Sequence, residues 1–315
     1  TTAPAGDLIG YGFAVYRDDR GPYFSSLNLT DPAAILSSST VFTGIPGGPT
    51  DLFQRTSFSP ELAISNFSAK PAQVSVTLAT TTAGKTKADK VQKFVLAGHS
   101  SRTVKLAARG DPGMTNSLVV QSSLPPGEVV SQFIAWGDSL VRAVELQGKD
   151  AASPQNGGGH PWDIRGGAKS TLFLFSHSSG EVKKIDVQIS SGSELWWKTY
   201  KLSPMETKAV NINDIVAQGI PDDRGHRLPK DTLRGQIAWL AGFPKWAKGR
   251  LMISQGERGL ARSFSCGTCT TDCDHPSMSP HSSVTLAVGS SDYLGDIQLQ
   301  NCSISCPLSS DAEPR

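Results

Sequence analysis

Two long stretches of this chain write the same order of strands and turns, and that repetition limits the folds open to it. In the first, "ELAISNF" (61–67), "AQVSVTLAT" (72–80), "KFVLAG" (93–98), "SRTVKLAA" (101–108), "NSLVVQSS" (116–123), "EVVSQFIAW" (128–136) and "LVRAVELQ" (140–147) follow one another. Most of them alternate apolar with polar residues, which puts successive side chains on opposite faces of a strand. Turn residues separate them at short spacing: Gly84-Lys85, Gly98-His99, Asp111-Pro112-Gly113, Pro125-Pro126-Gly127 and Gly137-Asp138. In the second stretch, "STLFLFS" (170–176) stands for "ELAISNF" and "KKIDVQIS" (183–190) for "AQVSVTLA". "WWKTYKLSPMETKAVNI" (196–212), "RGQIAWLA" (234–241), "KGRLMISQ" (248–255) and "LARSFSC" (260–266) complete the series. Gly249 lies 122 positions beyond Gly127. Short strands with frequent turns and almost no helical periodicity predict an all-β chain of sandwiches or barrels, not βαβ units. The period is too long for a solenoid, so each copy is large enough to be a domain.

This reading divides the 315 residues into strands resembling the end of a unit (1–45), a first sandwich (46–150), a second (151–265) and a cysteine-containing segment (266–315). The N-terminal part is the odd one. "PAGDLIGYGFA" (4–14) matches "PPGEVVSQFIA" (125–135), and with "YFSSLNL" (23–29) it supplies only the last two strands of a unit. Two placements follow. These strands pair onto the first sandwich or continue a longer protein, or they complete a sheet elsewhere by strand addition. The end of the chain shows a comparable partial unit, "SSVTLAVGSSDYLGDIQLQNCSISCPL" (282–308).

The block "LAISNFSAKPAQVSVTL…FVLAGHSSRTVKL" resembles the tandem Ig-like β-sandwich modules of bacterial secreted and surface proteins. The likeness covers about 53–148 and, more loosely, 164–265, where Phe175-Ser176-His177 replaces the Asn66 turn. It implies modules that space, display or adhere, outside the cell or on its surface. It implies no activity, because fold alone gives none.

Charge excludes other classes. Charged residues make up 18% of the chain, below the ~25% usual for soluble domains. A net charge of +2 offers no electrostatic case for nucleic acid as partner. No run of ~18 apolar residues occurs, so no membrane-spanning helix is expected.

The cysteines sit at one end: Cys266, Cys269, Cys273, Cys302 and Cys306. Their spacing, with Asp274-His275 behind, contains zinc-ligand residue types but not the repeated Cys-x2-Cys of a two-knuckle site. Local disulfides in an exported protein are the expected use, with one thiol left over. No metal or cofactor is implied. No His-Glu-x-x-His and no Gly-x-Ser-x-Gly elbow is present. Gly84-Lys85-Thr86 lacks the first Gly of a phosphate loop, since Ala79 stands there. His160, behind Gly157-Gly158-Gly159, reads as part of a Gly-rich linker. The "DDRG" at 222–225 reads as a polar turn.

The aromatic residues are the better recognition candidates. Trp196 and Trp197 are adjacent in a strand, so one faces a core and the other a surface or a contact. Trp239 and Trp246 flank "LAGFPK". Exposed Trp stacks on sugars or anchors protein contacts; the alternative is burial at the seam between domains. The long insertion 213–234 is a third place where function can lie. The expected function is a non-catalytic, exported structural, adhesive or assembly protein. It would work through sandwich surfaces and edge-strand pairing, with itself or neighbouring modules as partner. The alternative is a carbohydrate-binding or accessory region of a larger secreted enzyme.

Overall fold

The computed structural model describes residues 12–18, 21–27, 35–47, 56–108, 113–138, 143–146, 148–153, 156–178, 180–242, 246–255 and 260–264. The described chain is nearly all β. A hairpin of β1 (Gly12–Asp18) and β2 (Gly21–Leu27) comes first and forms a two-stranded sheet of its own. Unit 1 contains β3 (Ser39–Thr43), β4 (Phe58–Asn66), β5 (Ala72–Thr82), β6 (Lys85–Leu96), β7 (Ser100–Lys105), β8 (Met114–Ser122), β9 (Val129–Gly137) and β10 (Ala143–Leu146). The short β11 (Lys149–Asp150) joins its edge. Unit 2 contains β12 (Gly157–Asp163), β13 (Lys169–Ser176), β14 (Lys183–Ser191), β15 (Glu194–Leu202), β16 (Thr207–Asn211), helix α1 (Ile212–Ala217), β17 (Arg234–Ala241), β18 (Ala247–Gln255) and β19 (Leu260–Phe264).

The sheet orders match strand for strand. Unit 1 has β10-β9-β4-β7 and β11-β3-β8-β5-β6; unit 2 has β19-β18-β13-β16 and β12-β17-β14-β15. Strands β3 to β10 therefore correspond in order to β12 to β19. All the pairings are antiparallel. Each unit is sandwich-like: its two sheets close on an apolar core. In unit 1, Leu62 and Ile64 of β4 meet Val74 and Val76 of β5, Leu118 and Val120 of β8, and Phe133 of β9. In unit 2, Leu172 and Leu174 meet Ile185, Val187, Ile189, Ile237 and Leu251 around Trp162, Trp196, Trp239 and Trp246.

Three expectations change. First, each unit has an opening strand, β3 or β12, ahead of the repeat visible in the sequence. β3 lies in the 1–45 segment, yet it pairs with β8 and belongs to unit 1. Second, Gly157–His160 is not a linker but part of β12, paired to β17. His160 stands opposite Ile237 where Phe42 stands opposite Leu118, so it fills a core position and is buried. Third, the repeat register moves. Leu62 and Ile64 face one core as Leu172 and Leu174 face the other, so Asn66 corresponds to Ser176, not to Phe175. A slip of one residue would exchange the faces. Likewise Phe133 opposes Leu62 and Leu251 opposes Leu172, so Gly249 matches Ser131 and not Gly127. Gly249 is required by its neighbour: a Cβ there would lie 2.2 Å from Trp239 Nε1.

The units join through unlike sheets. The β3-β8-β5 sheet of unit 1 lies against the β16-β13-β18 sheet of unit 2. Both strands at the centre, β8 and β13, lose their alternation because both faces are covered. Asn116 to Val120 are all buried, as are Ser170 to Ser176. Phe173 and Met252, from unit 2, pack into the core of unit 1. Phe175 joins Val41, Ala79, Val119 and Ala151 in a second apolar cluster. Gly44 has φ +71°, and a Cβ on it would fall 2.6 Å from the Phe173 ring. Three hydrogen bonds converge on Thr207: Thr115 Oγ1 donates to its carbonyl (2.9 Å), its amide donates to Thr81 Oγ1 (3.0 Å), and its hydroxyl meets Ser117 Oγ at 2.8 Å.

Phe173→Ala is expected to destabilise the chain by roughly 3–5 kcal/mol, because it removes a buried ring from a filled seam. Ala63→Ser, at the matching place on the solvent side of unit 1, is expected to stay within about 0.5 kcal/mol. Urea unfolding of the two variants checks the difference; equal midpoints would show that the seam carries no load.

Candidate functional site: faces and edges of the two units

A β-protein acts through what its sheets leave uncovered, so the free faces and edges come first. The outer face of the β4 sheet matches the seam face of the β13 sheet position for position. The side chains differ. Phe173 and Phe175 correspond to Ala63 and Ser65, and Lys248, Arg250 and Met252 to Val130, Gln132 and Ile134. Trp136 is half-buried on this face, and its Nε1 donates to Glu61 Oε2 at 3.2 Å. The seam is therefore encoded in unit 2 and is not a general property of the repeat.

The seam also contains cations. Lys248 and Arg250 are each 1% exposed. Lys248 Nζ donates to the Ser153 carbonyl at 3.3 Å. Burial pushes the Arg250 guanidinium down to about 9, which leaves it charged at neutral pH. His177, at the rim, is pushed below its ordinary range by burial and by the Lys248 charge.

Edges divide the units more sharply. The insertion between β16 and β17 opens with α1, capped by the Asn211 side chain, which accepts from the Asp214 amide. Ile212, Ile215, Val216 and Leu228 seat it on the unit 2 core. The chain then runs along β15, the edge of its sheet. Trp197 N–H donates to Asp222 Oδ2 (3.0 Å), Thr199 N–H donates to Asp223 Oδ2 (2.8 Å), and Asp223 N–H donates to the Trp197 carbonyl (3.1 Å). Trp196 Nε1 donates to the Ile220 carbonyl at 3.0 Å. An open edge is a template for foreign strands, and this loop closes it.

Asp222 is the centre of that cover. Its Oδ1 accepts from the Arg224 and His226 amides, both at 2.8 Å. Burial alone would push its carboxyl up. The N–H bonds from Trp197, His226 and Arg224, with the His226 imidazole 3.8 Å away, together hold it below its ordinary value of 3.8. The "DDRG" turn is a turn, as its sequence suggests, but its carboxylates face the backbone. Both Asp222 oxygens are occupied by amides, so this insertion offers no pair of converging free carboxylates through Asp222.

The structure separates the tryptophan candidates. Trp196, Trp239 and Trp246 are buried in the unit 2 core, so they offer no sugar-stacking face. Trp239 is wedged between Gly158 and Gly249. Trp197 is half-exposed on the outer face of the β14 sheet, opposite Gln188 and beside Thr199, whose Oγ1 donates to Asp186 Oδ1 at 2.6 Å. Cys266, Cys269, Cys273, Cys302 and Cys306 lie outside the described residues. Among the described residues no three His, Cys, Asp or Glu side chains gather as a metal site, and no helix is long and apolar enough to cross a membrane. Sequence reasoning missed Asp222 and Asp223 as edge covers; the signal available was an acidic pair inside the one long insertion next to an edge strand.

No known protein family and no curated protein matches this chain. Among solved structures, the "Crystal Structure of Thermotoga maritima 1070" is similar at 17% identity and a TM-score of 0.26. The match covers 36% of this chain and 96% of that one. A likeness of that size bears on neither fold detail nor function.

Asp222→Asn is expected to lower stability by about 1–3 kcal/mol at pH 7, through loss of charge-assisted bonds to three amides. The sign with pH follows from the depressed carboxyl. Its contribution is full above the unfolded value near 3.9 and is lost as pH falls through the folded value. Unfolding free energies measured from pH 7 to pH 3 check this: the wild-type chain should lose stability on the acid side more steeply than the Asn variant.

Proposed function

We propose that this chain is a non-catalytic, exported structural or assembly protein built of tandem Ig-like modules. In this reading the C-terminal cysteines form disulfides and the partners are further protein modules. The observation that supports it best is the unlike-sheet seam. Two copies of one unit meet head to tail, and a heterologous contact of this kind leaves a different face open at each end. The β1–β2 hairpin supports it too, since its sequence matches β9 and β10. It is written as the end of a unit and forms a separate two-stranded sheet. Edge pairing supplies main-chain hydrogen bonds, and the alternate side chains supply selectivity.

A second reading rests on Trp197. An indole on the outer sheet face, flanked by Gln188, Thr199 and Asp186, has the makings of a stacking platform for a neutral glycan.

Light scattering of the chain with and without residues 1–34 tests the first reading. Oligomers that disappear on truncation support it; a monomer in both cases overturns it. Quenching of Trp fluorescence by soluble neutral polysaccharides tests the second. Trp197→Ala is expected to weaken such binding by about tenfold, a difference of ~1.4 kcal/mol. No response of the wild-type chain to any of the glycans overturns that reading.

A further inference from the structure

The two units treat equivalent edges differently. β15 ends its sheet and is covered by residues 220–226. β6 is its counterpart and ends the matching sheet of unit 1, but the connection from β7 to β8 there is short, and among the described residues no segment pairs with its outer side. The correspondence is close. Residues 72–79 match 183–190, Val74 pairs with Phe94, and Ile185 pairs with Tyr200. Phe94 therefore stands for Tyr200, and both rings receive a cation from the following strand. Arg102 lies 4.3 Å over Phe94, and Lys208 lies 5.5 Å over Tyr200. One position earlier, Lys93 stands for Thr199, the residue whose edge amide holds the Asp223 carboxylate.

The charge of the open edge fits the same kind of occupant. β6 reads "KTKADKVQKFVL", with four lysines and one aspartate. Lys85, Lys87 and Lys93 are exposed on it, and Arg102 and Lys105 are exposed on the adjoining β7. Glu61, opposite Lys105, is the nearby acid on the β4 sheet, and its Oε2 accepts from Trp136. Val95, 65% exposed, adds an apolar contact. A register shift opposite Val76 and Thr77 divides the edge into two short runs, which limits an added strand to a few residues.

We propose that the outer edge of β6 receives an acidic, extended segment of another polypeptide by strand addition, at the edge that residues 220–226 cover on β15 in unit 2. The segment's main chain would bond to the edge amides and carbonyls near Lys93, and its carboxylates would pair with Lys85 and Lys93. This rests on the assembly reading and specifies which edge acts and what chemistry it takes. Self-association through residues 1–34 is a separate contact, so the two stand or fall separately.

The test is isothermal titration of the full chain with a synthetic heptapeptide of alternating Asp and Val. The same peptide with N-methylated amides and a Lys–Val peptide are the comparisons. The Asp–Val peptide is expected to bind, about tenfold more tightly than the N-methylated one. Lys85→Glu with Lys93→Glu should weaken it by a similar factor, and amide exchange should slow along 85–96 when it binds. Equal binding of the N-methylated peptide would overturn strand addition in favour of a plain charge contact. No binding, or protection elsewhere in the chain, would also overturn the proposal and leave the lysines as guards against foreign strands. If the peptide fails while truncation still abolishes oligomers, only this edge assignment falls. If it binds a chain that is monomeric throughout, the edge stands and self-assembly falls.

Discussion

The covering of both faces of β8 and β13 is the constraint from which the rest of the arrangement follows. A strand with one wet face alternates; these two cannot. Ser117 and Val119 on one side and Phe173 and Phe175 on the other must find partners across the gap, and they find each other's sheets. The apolar part is non-directional and scales with area. It would tolerate sliding. The bonds around Thr207 do not, since they tie particular atoms of one unit to particular atoms of the other, and a shift of one residue would leave them unpaired. Net gain per bond is only ~0.5–1.5 kcal/mol, whereas leaving the groups unsatisfied costs more. Their effect is to set the register of one unit on the other.

The two units diverge where their surroundings diverge. The topology is common to both, yet the face that is wet in unit 1 is dry in unit 2. Ala63 and Ser65 suit water; Phe173 and Phe175 suit the seam. The same contrast holds at the third tryptophan. Trp239 replaces Val120 at the centre of the core, and the larger ring is accommodated because Gly158 and Gly249 lack side chains on either side of it. These glycines are explained by packing at one neighbour, not by turn geometry.

Much of this was legible in the sequence, and the boundary of what was legible is physical. β4 and β14 are wet on one side, as is β5 up to Thr77, so their alternation is plain. The repeat then carries the strand order from one unit to the other. β12 is hidden because Gly157, Gly158 and Gly159 have no side chains to alternate and Pro161 argues against a strand. Edge strands tolerate that composition, and β12 is an edge. The seam was hidden for a different reason. Period two tells which residues share a face, but not which sheet that face meets. Adjacent Trp196 and Trp197 illustrate the distinction: the sequence separates them, and only the structure shows that Trp196 is the inner one. The cysteine segment lies outside the described residues, so its reading stands on sequence alone.

The cover over β15 shows why an acidic loop closes an edge better than a neutral one. Taking the Asp222 carboxylate out of water is unfavourable, and burial by itself would push its carboxyl up. Its depressed value means that the amides more than offset that cost. A carboxylate accepts from three N–H groups at once; a serine or an asparagine in its place could not match both its charge and its acceptor capacity. The loop therefore binds the edge most firmly when ionised, which at neutral pH is always. A strand laid on the same edge would satisfy its amides too, but it would present a new open edge of its own. Two aspartates in a turn satisfy the amides and end the sheet.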